Sequence, residues 1–320
     1  MTISDTALPR FVSAGEALTD LVRTGADQWT SRAGGAGLNV ARAMARLGVR
    51  SAFAGAISND VFGQALRASA IEAGLDQRFL QLRAEAPLLA VVHETAPPAY
   101  FFIGDDSADL RFSADALPEG WEREARWVHF GGISLTRAPL AGQLIALAVR
   151  LKAQGVRISY DPNFRNLMDQ RYDPVLQEMA GLADVIKVSD EDLQGLFRTD
   201  DTQAALSRLR NLNPTAEILL TRGAAGAEFY SGRLAWQAKP PAIEVADTIG
   251  AGDASICALL FSMMYRPKAD GIGHLRFAVA AGAAACTRAG ATPPTQDQIS
   301  ALAPAVHVTT FEPGSYLCAV

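Results

Sequence analysis

The stretch Val245-Ala246-Asp247-Thr248-Ile249-Gly250-Ala251-Gly252-Asp253-Ala254 holds the residues best suited to do chemistry. Its pattern predicts a short strand end, a glycine turn and a helix beginning near Ala254. Gly250 and Gly252 allow positive φ, or a close pass of backbone by a ligand. Small residues entering a helix leave N–H groups at the positive end of the helix dipole, which attracts an anion. A carboxylate in the same place repels that anion. The two features agree if Asp253 is a base. It then takes a proton from a hydroxyl while the N–H groups hold the phosphoryl group that the hydroxyl attacks.

Four other clusters sit at expected turns. Gly34-Gly35-Ala36-Gly37-Leu38-Asn39 opens a helix, and the Asn39 amide can both donate to and accept from a ligand hydroxyl. A plain structural turn satisfies the same pattern. Asp20 follows the first strand and suits two sugar hydroxyls, or is a solvated loop aspartate. Asp161-Pro162-Asn163-Phe164-Arg165 ends a strand, and Arg165 suits a phosphate or carboxylate. Thr221-Arg222-Gly223-Ala224-Ala225-Gly226 is a turn suited to nucleotide phosphates. Ser189 and Asp192, near the end of the strand carrying Lys187, offer polar groups that hold water around Mg²⁺.

Several chemistries find no support. The chain has no G-x-x-x-x-G-K-[ST] loop, no G-x-G-x-x-G after its first strand, no H-E-x-x-H and no G-x-S-x-G. His93, His129, His274 and His307 are scattered and read as surface or packed residues. Cys257, Cys286 and Cys318 are odd in number and far apart, with no zinc spacing; the first two lie in apolar helical runs and read as buried free thiols. A net charge of -5 argues against a general nucleic-acid binder. No window is apolar over a membrane-spanning length, and the opening residues lack a basic-then-apolar signal, so the cytoplasm is the expected compartment.

The elements that must position these groups alternate along 320 residues. Strands are expected at 11–13, 51–56, 127–130, 156–160, 183–188 and 218–220, with helices at 40–47, 61–73, 140–154, 254–265 and 275–287. Short apolar strands alternating with helices mean a parallel sheet covered on both faces. Leu21–Arg32 and Leu88–Ile103 break the rhythm: both are strand-like with no helix between strands. They read as surface hairpins, or as a small side sheet forming a lid over the crevice at the strand ends. The Ala96-Pro97-Pro98-Ala99 turn within the second names no substrate.

Taken in order, these pieces resemble the ribokinase-like (PfkB) carbohydrate kinases from Gly15 to about Pro293. The early motif reads Gly34-Gly35 and Asn39, then Gly55-Ala56-Ile57-Ser58-Asn59-Asp60-Val61-Phe62-Gly63; the late motif Asp-Thr-x-Gly-Ala-Gly-Asp is complete from Asp247 to Asp253. The resemblance implies a single domain over 1–320, an α/β/α three-layer sandwich with a mostly parallel central sheet and a small β-sheet lid at about 21–32 and 88–103. It implies that Asp253 is the general base, with Gly250, Ala251 and Gly252 as the anion hole. Asp20, Gly34, Gly35, Asn39 and Arg165 look like the substrate side. Lys187, Ser189, Thr221, Gly223, Gly226, Gly252, Gly282 and Ala283 look like the nucleotide side. ATP and Mg²⁺ are the implied cofactors, with Asp192 reaching Mg²⁺ through water. A monovalent cation such as K⁺ would use Asp247 and the carbonyls of Ile249, Ala285 and Gly290.

Within the family, Gly15-Glu16-Ala17-Leu18, Ser107-Ala108-Asp109, Phe130 to Leu135, Asp161 to Arg165 and Lys187-Val188-Ser189 resemble fructokinases. Ser189 and Asp192 stand where many relatives have Asn and Glu, and Ser255 stands where an aromatic is common. Fructose is the first expected acceptor. A 2-keto-3-deoxygluconate kinase comes second, because Arg165 suits a carboxylate, and a nucleoside kinase third. A non-catalytic sugar or nucleotide sensor is the remaining reading. The small-molecule partners are sugar and ATP, and a homodimer through the lid is expected, because a side sheet exposes an edge and an apolar face.

Overall fold

The computed structural model describes residues 7–95 and 98–312; Cys318 and the Ala96-Pro97 half of the expected turn lie outside them. The chain opens with β1 (Phe11–Ala14), β2 (Leu18–Arg23), β3 (Trp29–Gly34) and α1 (Ala36–Arg46). Next come β4 (Ser51–Ser58), α2 (Val61–Glu72), β5 (Leu80–Arg83), β6 (Leu89–Thr95) and β7 (Pro98–Ile103). The middle holds α3 (Trp121–Glu124), β8 (Trp127–Gly131), α4 (Leu140–Ala153), β9 (Arg157–Asp161), α5 (Asp173–Leu182), β10 (Val185–Ser189), α6 (Asp190–Phe197) and α7 (Thr202–Leu212). The last part holds β11 (Glu217–Thr221), β12 (Ala227–Ser231), β13 (Leu234–Lys239), α8 (Ala251–Tyr265), α9 (Gly271–Cys286), α10 (Gln296–Leu302) and β14 (His307–Phe311).

The main sheet runs in the order β14-β13-β12-β11-β10-β9-β8-β1-β4-β5. It is parallel from β5 to β11 and antiparallel from β11 to β14. Its central strands are buried over nearly their whole length because both faces are covered. In β1, Phe11 packs into the core formed with α1, α8, α9 and α10, while Val12 packs into the opposite core with α4, α5, α6 and α7. Those two cores make the expected α/β/α sandwich. Local chemistry marks the helix ends: Asp60 caps α2 by accepting from the Phe62 and Gly63 N–H groups, each at 2.9 Å, and Gly48 closes α1 with φ +85°.

The two irregular stretches form one four-stranded sheet, in the order β3-β2-β6-β7. Parallel pairing of β2 with β6 joins the hairpins. Its strands begin earlier than expected in the first hairpin, so Asp20 lies in a strand and not in a loop. The register aligns Arg32, Asp20, Ala90 and Phe102 across the four strands.

Near the key heptapeptide the expected boundaries shift. No strand forms at Val245-Ala246; the Ala246 and Asp247 N–H groups instead bond the Cys286 carbonyl at the end of α9, at 2.8 and 3.3 Å. Helix α8 begins at Ala251, three residues before the expected start, so Asp253 belongs to its first turn. A residue in that turn needs no apolar side chain, which is why periodicity placed the start too late.

Candidate active site

Strand β1 lies between β4 and β8, and the chain builds one flank of the sheet before the other. Such a reversal leaves a crevice outside the carboxyl ends of the strands. Helix α8 enters this region through Gly250, which is left-handed at φ 79°; a Cβ there would meet Ala291 at 3.1 Å. No side chain caps α8; the Ala251 N–H bonds the Thr248 carbonyl at 3.3 Å, and the positive end of the helix dipole faces this region.

Asp253 and Asn39 meet at this end. Asn39 sits in the first turns of α1, which packs on α8, and its Nδ2 donates to Asp253 Oδ2 at 3.1 Å. That bond orients the amide and leaves Asn39 Oδ1 buried with no partner among the described residues. A buried acceptor of this kind wants a donor, and a ligand hydroxyl is one. Burial pushes the Asp253 carboxyl above its ordinary range, while Lys187, the Asn39 amide and Arg165 pull it back.

The sugar-side residues expected from sequence converge here. A Cβ on Gly35, which has φ 99°, would lie 2.8 Å from both Ala17 Cα and the Glu16 carbonyl oxygen, so glycine lets α1 start against the β1–β2 link. A Cβ on Gly34 would collide with Asp20 Oδ2. Burial raises the Asp20 carboxyl to about 6, against the pull of Arg165 and Arg32. The Arg165 guanidinium lies 5.9 Å from the Tyr100 ring of the small sheet. Its Nη1 also donates to Asn163 Oδ1 and to the Phe164 carbonyl, each at 2.7 Å.

Behind them lies a buried charge cluster. Lys187 Nζ is 3.1 Å from Asp161 Oδ2 and 3.7 Å from Asp192 Oδ2. A Cβ on Gly252 would stand 3.1 Å from the same nitrogen, so the ammonium lies against the first turn of α8. Burial alone would lower Lys187, but Asp161, Asp192 and Asp253 outweigh it and hold the ammonium above its ordinary range. Three carboxylates share one ammonium, which is why the lysine stays charged. Thr221 pairs in register with Ser189 on the neighbouring strand, and the turn beyond it uses Gly223 at φ 51° and Gly226 at φ 107°.

A family model described as pfkB family carbohydrate kinase matches residues 9–298. The chain belongs to this family. It is 31% identical to a fructokinase of Klebsiella pneumoniae over 290 residues, covering 87% of this chain and 93% of that one. Among solved structures it is similar to a fructokinase with bound ATP from Xylella fastidiosa, at TM-score 0.82 and 29% identity, covering 92% of this chain and 98% of that one. It is also similar to a Vibrio cholerae fructokinase in a form with bound fructose, ADP and calcium ion, at TM-score 0.79 and 29% identity, covering 91% and 98%.

Gly282 and Ala283 are buried; a Cβ on Gly282 would lie 2.5 Å from Ser255 Oγ, so the small residues serve the close approach of α8 and α9. Asp192 is 6% exposed and completes a capping box: Oδ2 accepts from Ser189 N at 2.7 Å and Oδ1 from Phe164 N at 2.8 Å. Lys187 lies beside it, and each of its two oxygens accepts one backbone N–H. No three His, Cys, Asp or Glu side chains gather as a metal cluster among the described residues.

Of the expected monovalent-cation ligands, Asp247 meets Gly290, and three of the four groups accept hydrogen bonds from backbone N–H groups. Asp247 Oδ2 accepts from Gly290 N at 2.8 Å and lies 3.8 Å from Arg32 Nη1, and Oδ1 accepts from Ile249 N at 3.1 Å. The Gly290 and Ala285 carbonyls accept from Thr292 N and Arg288 N, at 2.7 and 3.2 Å. Burial would raise the Asp247 carboxyl, but the N–H groups and Arg32 outweigh it and hold it below its ordinary range. Asp247 thus ties the loop before α8 to the loop after α9.

Two further buried carboxylates, Asp161 and Glu16, belong to motifs visible in the sequence that assign them no separate role. Glu16 is 2% exposed at the end of β1, where its Oε2 accepts from Ser134 N at 3.1 Å and burial raises its carboxyl to about 7. A charged residue following an apolar strand was the available signal for both.

Proposed function

We propose that this protein is an ATP-dependent fructokinase, transferring the γ-phosphoryl group to a primary hydroxyl of fructose. The contact between Asn39 and Asp253 carries this reading, because it joins the sugar-side helix to a carboxylate at an uncapped helix N-terminus. Asp253 takes the hydroxyl proton as the new P–O bond forms, and the Gly250, Ala251 and Gly252 N–H groups receive the transferred phosphoryl. Asp20, Asn39 and Arg165 hold the sugar, with Gly34 and Gly35 making room for it. Lys187, Thr221, Gly223 and Gly226 hold the phosphates and the nucleotide. Mg²⁺ accompanies ATP and offsets charge on its phosphates, without an assigned protein ligand.

The four-stranded sheet acts as the lid. Tyr100 and Arg32 bring it onto Arg165 and Asp247, which supports closure over the sugar and exclusion of water. Its far face exposes Phe101 and Ile103, each at 51%, which supports a homodimer through this sheet. The free thiols of Cys257 and Cys286 suit the reducing cytoplasm. An acidic acceptor such as 2-keto-3-deoxygluconate is disfavoured, since Asp20 acts on the same Arg165.

A coupled ADP-release assay over fructose, 2-keto-3-deoxygluconate, ribose and adenosine tests the reading. Fructose should give the highest kcat/KM. A higher value with any of the others would move the assignment to that acceptor, and silence with all four would sink it.

A further inference from the structure

Asp161 ends β9 and is 2% exposed. Its carboxylate serves two partners that belong to different halves of the crevice. Oδ1 accepts from Asn163 N at 3.0 Å, closing a turn in which Asn163 is left-handed at φ 49°. Few residues other than glycine adopt that conformation, and asparagine tolerates it best when its neighbours hold it there. The turn presents Arg165, whose Nη1 bonds Asn163 Oδ1 and whose guanidinium faces Tyr100. On the other side both Asp161 oxygens face Lys187 Nζ, at 3.4 and 3.1 Å. Asp192 is farther from that nitrogen, and its oxygens already accept two backbone N–H groups. Asp161 is therefore the counterion that aims Lys187 at the first turn of α8.

We infer that Asp161 is a positioning residue coupling the sugar-facing turn to the phosphate-facing lysine. The inference rests on the kinase reading for the identity of the two ligands. One carboxylate sets the geometry of both, so a shift in the turn is felt at Lys187 and the reverse.

Asp161→Asn keeps an acceptor for Asn163 N–H but removes the charge facing Lys187; Asp161→Ala removes both. Each is assayed for sugar KM and kcat, and for ATP affinity by calorimetry. Asp161→Asn should lower kcat and ATP affinity by about 10- to 100-fold while leaving sugar KM within about twofold; Asp161→Ala should also raise sugar KM about tenfold. Adding Asp161→Asn to Lys187→Met should cost no more than about twofold beyond Lys187→Met alone. If Lys187→Met does not fold, the split in sugar KM between the Asn and Ala variants decides by itself.

Additive losses in the double variant would overturn the inference. So would an Asn variant with wild-type kcat and ATP affinity, or losses in both Asp161 variants that only track a fall in folded fraction. Failure of the kinase reading is distinct: the wild type would release no ADP with any sugar, and the ATP-affinity cycle would still report on the coupling.

Discussion

The Asn39 amide donates to Asp253 Oδ2 at 3.1 Å, across 214 residues of sequence. This bond joins two helix N-termini, α1 at its glycine-rich turn and α8 at Gly250. It orients the carboxylate, and it leaves the Asn39 oxygen buried with no partner among the described residues.

Asp253→Asn removes the base while keeping the shape. Turnover should fall by about 10²- to 10⁴-fold, with calorimetric binding of fructose and ATP retained. Near-normal turnover would show that another group takes the proton.

Asn39→Ala should act on both substrate binding and chemistry. It removes a donor to Asp253 and the unpartnered acceptor, so sugar KM should rise and kcat fall, each by about tenfold. ATP affinity should hold within about twofold, measured by calorimetry. A variant altered only in ATP affinity would contradict this placement.

Asp20 titrates near 6 in the free protein because burial raises it against Arg165 and Arg32. Its ionised form is the better acceptor for sugar hydroxyls. Sugar KM should therefore rise as pH falls through about 6, approaching tenfold per pH unit in the limit. Asp20→Asn should flatten that limb; a wild-type KM constant from pH 7.5 to 5 would remove Asp20 from the sugar site.

Glu16 gives a stability prediction. Its folded carboxyl is raised to about 7 from an ordinary 4.5, chiefly by burial, with Asp109 adding to the shift and Ser134 opposing it. Between those values the folded protein holds a proton that the unfolded chain has lost. The contribution is therefore intact below the unfolded value and lost as pH rises towards 7, on the order of 3 kcal/mol. Glu16→Gln should match the wild type in urea unfolding at pH 4.5 and exceed it at pH 8. Equal stability at both pH values would show that Glu16 ionises freely in the fold.

Gly35→Ala should be costly. At φ 99° the new Cβ meets backbone atoms at 2.8 Å, which cannot move aside as a side-chain end can. A loss of about 2 kcal/mol or more in chemical denaturation is expected. Gly74→Ala, also at positive φ but with open space around it, serves as the milder control.

The sequence by itself determined the class of the molecule. Alternating apolar strands and helices specified a covered parallel sheet, because burial on both faces leaves that periodicity in the chain. The run from Asp247 to Asp253 announced glycines, a helix start and a carboxylate in one place, because these are local features. Nearest-neighbour chemistry of this sort is written in adjacent residues.

Tertiary structure alone decided which atoms meet. Asp192 looked free to hold water around a metal, yet the fold turns both its oxygens onto backbone N–H groups of two separate segments. Gly282 lies where α8 and α9 approach closely, which its neighbours in sequence do not announce. Lys187 found Asp161 because β9 and β10 are neighbours in the sheet, and Asn39 found Asp253 because α1 and α8 share one face of it. Strand order and helix crossing set these distances, and periodicity reports which face is buried without saying what lies opposite.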